Sequence, residues 1–149
     1  MRHRHIHLYI AKALGKVVAA LGEEGDMEEA IRTALERDLV IDITTTSRKT
    51  GQPHRKEIWF HNVDGQLYIT GSPGRRDWYA NLLANPDFTF HLKRSVQADL
   101  PARATPIRDP AQRRDIFQKI QQQLQRRVGM NVEEWVERSP LVQVDILSP

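Results

Sequence analysis

The stretch LVIDITTTSRKTGQPHRKEIWFHNVDGQLYIT, residues 39–70, decides the fold. Leu39 to Thr46 is dense in β-branched side chains, the composition of a buried strand. Glu57 to His61 and Gln66 to Thr70 read as a second and a third strand. Asn62-Val63-Asp64-Gly65 between them has hairpin-turn chemistry, because Gly65 tolerates a positive φ. The first strand ends at Ser47-Arg48-Lys49-Thr50-Gly51, where the chain must turn.

Working outward, Gly71-Ser72-Pro73-Gly74-Arg75-Arg76 forms a second loop. Asp77 is expected to cap a short helix through Trp78, Tyr79, Leu82 and Leu83, which Asn85-Pro86 stops. Phe88 to Lys93 reads as a fourth strand, with Phe88, Phe90 and Leu92 on one face. Val96 to Ile107 holds a fifth, which Pro101 is expected to break or bulge. Asp109-Pro110 opens a long helix lined by Ile116, Ile120, Leu124 and Val128, and Leu141 to Ile146 closes the chain as a last strand. Towards the N-terminus, Ile10, Leu14, Val17, Val18 and Leu21 recur at helical spacing. Asp26 and Glu29 resemble a capping box for a second helix carrying Met27, Ala30, Ile31, Ala34 and Leu35. Short, closely connected strands with helices at the ends and one inserted predict an α+β chain. It is read as a single domain over residues 1–149, a small barrel with helices outside and an N-terminal helical segment over about residues 8–37.

The 149 residues suffice for one domain with a genuine core. Cysteine is absent, which excludes disulfide and thiolate chemistry and points to a reducing compartment, the cytoplasm. No apolar run reaches transmembrane length, and Lys12 and Lys16 interrupt a start that loosely mimics a signal peptide. The first helix, being amphipathic, leaves peripheral contact with a membrane open. His3, His5 and His7 alternate as metal ligands on one strand face would, but no carboxylate stands near them, so no metal is assigned. Glu133 and Glu134 beside Trp135 read as a solvated helix face.

Net charge is only +3, yet Arg48, Lys49, His54, Arg55 and Lys56 fall within nine positions, and Arg75 and Arg76 form a second basic group. Loops of this composition attract anions. Arg48 can fork onto phosphate oxygens, Thr50 offers a hydroxyl, and Gly51 allows close backbone approach. The second loop runs into a helix start, whose free N–H groups suit an anion. Trp78 and Tyr79 read as core residues, either able to border a planar ring. No Walker spacing and no G-x-S-x-G elbow occurs, so no catalytic nucleophile is assigned. The modest net charge, with aromatics on strand faces, argues against nucleic acid. A phosphorylated small molecule is the expected ligand.

Three ordered motifs carry a family resemblance over about Ile43 to His91. They are Thr44-Thr45-Thr46-Ser47-Arg48-Lys49-Thr50-Gly51-Gln52-Pro53, then Ser72-Pro73-Gly74, then Trp78-Tyr79-Ala80-Asn81-Leu82 with Ala84-Asn85-Pro86. The chain resembles the deazaflavin-dependent nitroreductase and quinone reductase family. The resemblance implies a split β-barrel related to FMN-binding reductases and pyridoxamine-phosphate oxidases. It implies coenzyme F-420, a deazaflavin with a phosphate and an acidic glutamate tail, with FMN as the alternative cofactor. Arg48, Lys49, Thr50 and Gly51 would meet the phosphate and tail. Ser72, Pro73, Gly74 and the adjoining Arg75 would line the cofactor from the second loop, with Trp78 and Asn81 in support. The implied reaction is hydride transfer to a small-molecule acceptor, a quinone or nitro compound, for which the cofactor carries the chemistry and no side chain serves as nucleophile. A cofactor-binding protein without turnover is the alternative, and pairing as a homodimer is left open. The chain departs from the family pattern at Arg55 and Glu57, in a short segment between Gly74 and Trp78, and in having no tyrosine after Tyr79.

Overall fold

The computed structural model describes residues 24–125 and 129–147. The expected first helix, the alternating histidines and Val128 lie outside them. In chain order the elements are α1 (Glu24–Arg37), β1 (Val40–Thr46), β2 (Pro53–Val63), β3 (Gln66–Thr70), α2 (Asp77–Ala84), β4 (Asp87–Leu92), β5 (Ala98–Pro106), α3 (Pro110–Leu124), α4 (Val132–Arg138) and β6 (Leu141–Ile146). The six strands close into a barrel in the order β1-β2-β3-β6-β5-β4, with every neighbouring pair antiparallel. The α+β split-barrel expectation is met.

Alternation explains the barrel. Ile41, Ile43 and Thr45 of β1 point inward, as do Leu100, Ala102 and Ala104 of β5. Phe60 and Phe90 meet edge to face at 5.1 Å in the middle. Ile31, Ala34 and Leu35 of α1, with Trp78 and Leu82 of α2, join this interior. A second core lies outside the barrel wall, where Phe117 and Ile120 of α3 and Trp135 of α4 cover Tyr68 and Leu141. Strand β3 is therefore buried on both faces.

The hairpin turn forms as its residues predict, with Asp64 at φ 53° and Gly65 at φ 87°. Two strand expectations need correction. Strand β2 begins at Pro53, not Glu57, because pairing with β1 continues to Thr46↔Pro53 although the side chains of residues 53–57 are exposed. Proline is tolerated there as the first residue of the strand. Pro101 neither breaks nor bulges β5. Its carbonyl accepts from Leu147 N–H (2.9 Å), so its ring nitrogen faces the same side, beyond the end of β6, and the β4 ladder loses no donor.

Candidate functional site

The turn after β1 is held from within. Ser47 Oγ accepts from Lys49 N–H and Thr50 N–H, both at 3.2 Å. Gly51 N–H donates to Ser47 O (2.9 Å), and Gln52 N–H to Thr50 Oγ1 (3.2 Å). Arg48 N–H donates to Asn81 Oδ1 (3.1 Å). Every backbone donor from Arg48 to Gln52 is thus engaged inside the protein, which leaves side chains as the loop's outward polar groups. Gly51 serves the turn itself, at φ 75°.

Asn81 is the brace between this loop and α2. Buried at 4% exposure, it accepts Arg48 Nη1 (2.9 Å) as well as the Arg48 amide, while its Nδ2 lies 3.4 Å from Thr45 Oγ1. Arg48 also reaches Asp77 at 3.4 Å. The helix start differs from expectation. Arg76, in extended conformation and without a side-chain cap bond, is the N-cap, and Asp77 is the first helical residue. The earliest intrahelical bond runs from Ala80 N–H to Arg76 O (3.2 Å). The amides of Asp77, Trp78 and Tyr79 therefore belong to the unpaired first turn.

The second loop rests on the far end of α4. Gly74, at φ 122°, donates its N–H to Arg138 O (3.1 Å). That corner is fixed by buried Arg113, which donates to the carbonyls of Ile107 (2.7 Å), Val136 (2.7 Å), Trp135 (3.2 Å) and Ser139. Its guanidinium lies 5.4 Å from the Phe117 ring centroid, and burial lowers its pKa.

Between the first loop, β2 and α2 lies a cleft of about 870 Å³, walled by Arg48, Arg55, Lys56, Arg75, Arg76 and Asp77, with Trp78 and Asn81 at its base. Five cations thus face one carboxylate. Arg55 is partly engaged, bonding Asp42 at 2.9 Å. Lys93 also binds Asp42, so the Asp42 carboxyl is held below its usual range by Lys93 first and Arg55 second. Lys93 bonds Glu57 as well, so two of the departures noted in the sequence, Arg55 and Glu57, sit in one ion network on the barrel wall. Lys56 and Arg75 have no ion pair among the described residues.

Of the residues named from sequence, Arg48, Arg75, Trp78 and Asn81 come together at the cleft. Lys49, Thr50 and Gly51 are exposed in the adjoining turn and are not part of its wall. Gly74 and Arg75 border a separate surface groove beside α3 and α4. Ser72 lines a different, smaller cavity of about 250 Å³ with Trp59, His61, Leu124, Met130 and Trp135. Pro73 borders none of the three. Gly71 lines the smaller cavity and stands beside the cleft, since a Cβ there would lie 3.7 Å from Arg76 Nε and 3.8 Å from Trp78, both of which line the cleft. Reading the sequence missed Lys56 and Arg76 as cleft residues, and Trp59 and Trp135 as cavity residues, while His61, which it read as lying near the site, lines the cavity. The basic run at 54–56 was visible, but its convergence with α2 depends on how far β2 extends.

With this geometry in place, the comparisons decide the family. A family model described as F420H(2)-dependent quinone reductase matches residues 22–145. The chain belongs to that family. It is a deazaflavin-dependent reductase with F-420 as cofactor and a small molecule as acceptor. Solved structures share the barrel. An F420 reductase is 19% identical, with 78% of this chain and 92% of that chain covered and a TM-score of 0.57. A candidate pyridoxamine 5′-phosphate oxidase from Listeria innocua is 15% identical, with coverages of 81% and 98% and a TM-score of 0.57. A FAD-binding protein from Mesorhizobium loti is 16% identical, with coverages of 78% and 86% and a TM-score of 0.52. At these identities the likeness speaks for the fold. No described helix is long and apolar enough to cross a membrane.

The donor set suits the cofactor. Guanidinium and ammonium groups beside an open helix start match phosphate and carboxylate oxygens, and the volume falls in the range of cofactor clefts.

Proposed function

We propose that the cationic cleft holds the phosphate and acidic tail of F-420, and that the cavity beyond Gly71 receives the ring of a quinone or nitro acceptor. The observation that carries this reading is the convergence of Arg48, Lys56, Arg75 and Arg76 on one cleft beside Asp77, with the loop amides engaged elsewhere. Arg48 and Arg75 bind the anion, joined by Lys56 and Arg76. Lys49 and Thr50 stand at the rim, and Gly51 shapes the turn that presents them. Asn81 and Trp78 hold the wall in place. Ser72 offers a hydroxyl at the cavity, while Pro73 and Gly74 set the course of the loop joining the two spaces.

The bound deazaflavin supplies hydride, so the chain needs no nucleophile. What its residues contribute is position and dryness. Charge pairs fix the anionic part, and apolar walls of Trp59, Leu124, Met130 and Trp135 exclude water from the acceptor. Trp135 from α4 stands at this cavity in a chain that has no tyrosine after Tyr79. Cytoplasmic location accompanies the reading, in keeping with the absence of cysteine.

The test removes two of the three cleft cations that have no ion pair among the described residues. A Lys56→Gln/Arg75→Gln variant should bind F-420 at least roughly a hundredfold more weakly, about tenfold per charge-assisted contact, with an unchanged unfolding midpoint. Parental affinity would remove the cleft from cofactor binding.

A further inference from the structure

His61 has no role in the cleft, and its surroundings single it out. It lies on the outer face of β2, opposite Tyr68 on β3, and is 94% buried at 6% exposure. Its imidazole forms part of the 250 Å³ cavity wall. It makes no hydrogen bond among the described residues. Neither nitrogen of His61 is among the enclosed side-chain polar atoms without a hydrogen-bond partner in the described residues, so these nitrogens are not sealed in protein. His61 is itself one of the residues lining the cavity, where its ring can meet a ligand. A buried polar group without a partner is costly, and a structure that keeps one facing a void leaves it free for a ligand.

The rest of the cavity limits what that ligand can be. Trp59 and Trp135 supply aromatic surface, Ile120, Leu124 and Met130 are aliphatic, and none of the described residues lining it is charged at neutral pH. Its volume admits one or two rings and no bulky anion. We propose that His61 is the residue that recognises the acceptor, its imidazole hydrogen-bonding the oxygen of a planar quinone or nitro group seated between Trp59 and Trp135. This inference rests on the placement of the acceptor argued above and goes further by assigning its recognition to one side chain.

Burial pushes the His61 pKa down to about 4, so near neutral pH the ring is uncharged, with one N–H to donate and one nitrogen to accept. An N–H aimed at the acceptor oxygen strengthens as negative charge builds there during hydride delivery, which raises rate as well as affinity. Compounds of the same shape without such an oxygen would leave the imidazole unpaired and bind worse.

The experiment uses the full chain with menadione as probe, and reads binding separately from turnover. Trp59 and Trp135 wall the cavity, so menadione entering it should quench tryptophan fluorescence without F-420. His61→Leu should weaken that binding and lower kcat/KM for menadione by roughly tenfold to a hundredfold, with F-420 affinity unchanged. His61→Gln, which keeps a donor and an acceptor, should retain most of both. Parental menadione binding and kcat/KM in His61→Leu would overturn the assignment, as would an equal loss in the Gln and Leu variants. If the Leu variant fails to fold, Gln against His61→Met gives the same contrast. A wild-type protein that binds menadione but not F-420 would defeat the cleft reading and leave this inference standing.

Discussion

Asn81→Ala separates two roles that a site residue can have. Asn81 could touch the cofactor, or it could hold Arg48 in place, and its hydrogen bonds favour the second. Its Oδ1 receives both the Arg48 amide at 3.1 Å and the Arg48 guanidinium at 2.9 Å. Truncation removes one neutral bond, worth about 1 kcal/mol, and one charge-assisted bond worth about 1.5–3 kcal/mol before discounting for a side chain that is 29% exposed. The 3.4 Å approach to Thr45 adds little. The expected loss is about 2–4 kcal/mol, which for a chain of this size lowers Tm by about 5–15 °C. Urea unfolding should show a lower midpoint at unchanged m, and F-420 affinity should fall because Arg48 is no longer pinned. Asn81→Asp keeps the shared oxygen and should recover most of the stability. The reasoning is refuted if Asn81→Ala unfolds within about 0.5 kcal/mol of the parent while cofactor binding is lost. Asn81 would then be a direct ligand.

Two further outcomes follow from buried groups. The folded-state pKa of His61, about 4 against 6.5 for an ordinary imidazole, means the unfolded chain binds the extra proton between those values. Stability is therefore full above pH 6.5 and declines on acidification through pH 4, by on the order of 3 kcal/mol from this residue. His61→Leu should flatten that part of a urea-midpoint profile, and an unaltered slope would contradict it. Arg113→Met strands the carbonyls of Ile107, Trp135, Val136 and Ser139, costing about 3–5 kcal/mol. The variant should unfold at a lower temperature and bind F-420 more weakly even below its midpoint, since Gly74 N–H bonds Arg138 O at the same corner. A stable variant would show that corner to be self-supporting.

The barrel was legible where side chains alternate or the backbone needs a special residue. β1, β3 and the Asp64-Gly65 turn are of that kind, since their pattern states which face is buried. The first turn of β2 was not, because His54, Arg55 and Lys56 are polar on both faces where the hairpin reaches past the core. Pro101 misled for a related reason. Its cost depends on whether a neighbouring strand extends far enough to want its N–H, and that is a property of β6. Asp77 looked like a cap because carboxylates favour that position, but the loop brings Arg76 to the extended conformation instead.

The anionic character of the ligand could be read from two basic loops and their motifs. Which cations converge could not, because that depends on the β1–β2 register and on Asn81 docking α2 against the first loop. His61 carries no motif at all. A lone histidine in a strand gains meaning only once α3 and α4 are seen to close a cavity over it and leave it unpaired.

One titration addresses the central claim. F-420 fluorescence followed against added protein, at increasing salt, should show binding at low ionic strength that weakens at least roughly tenfold between about 0.05 and 0.5 M salt, with FMN binding less tightly throughout. No binding of F-420 at low salt, or an affinity indifferent to salt, would contradict a cofactor held by the cations around Arg48 and Arg75.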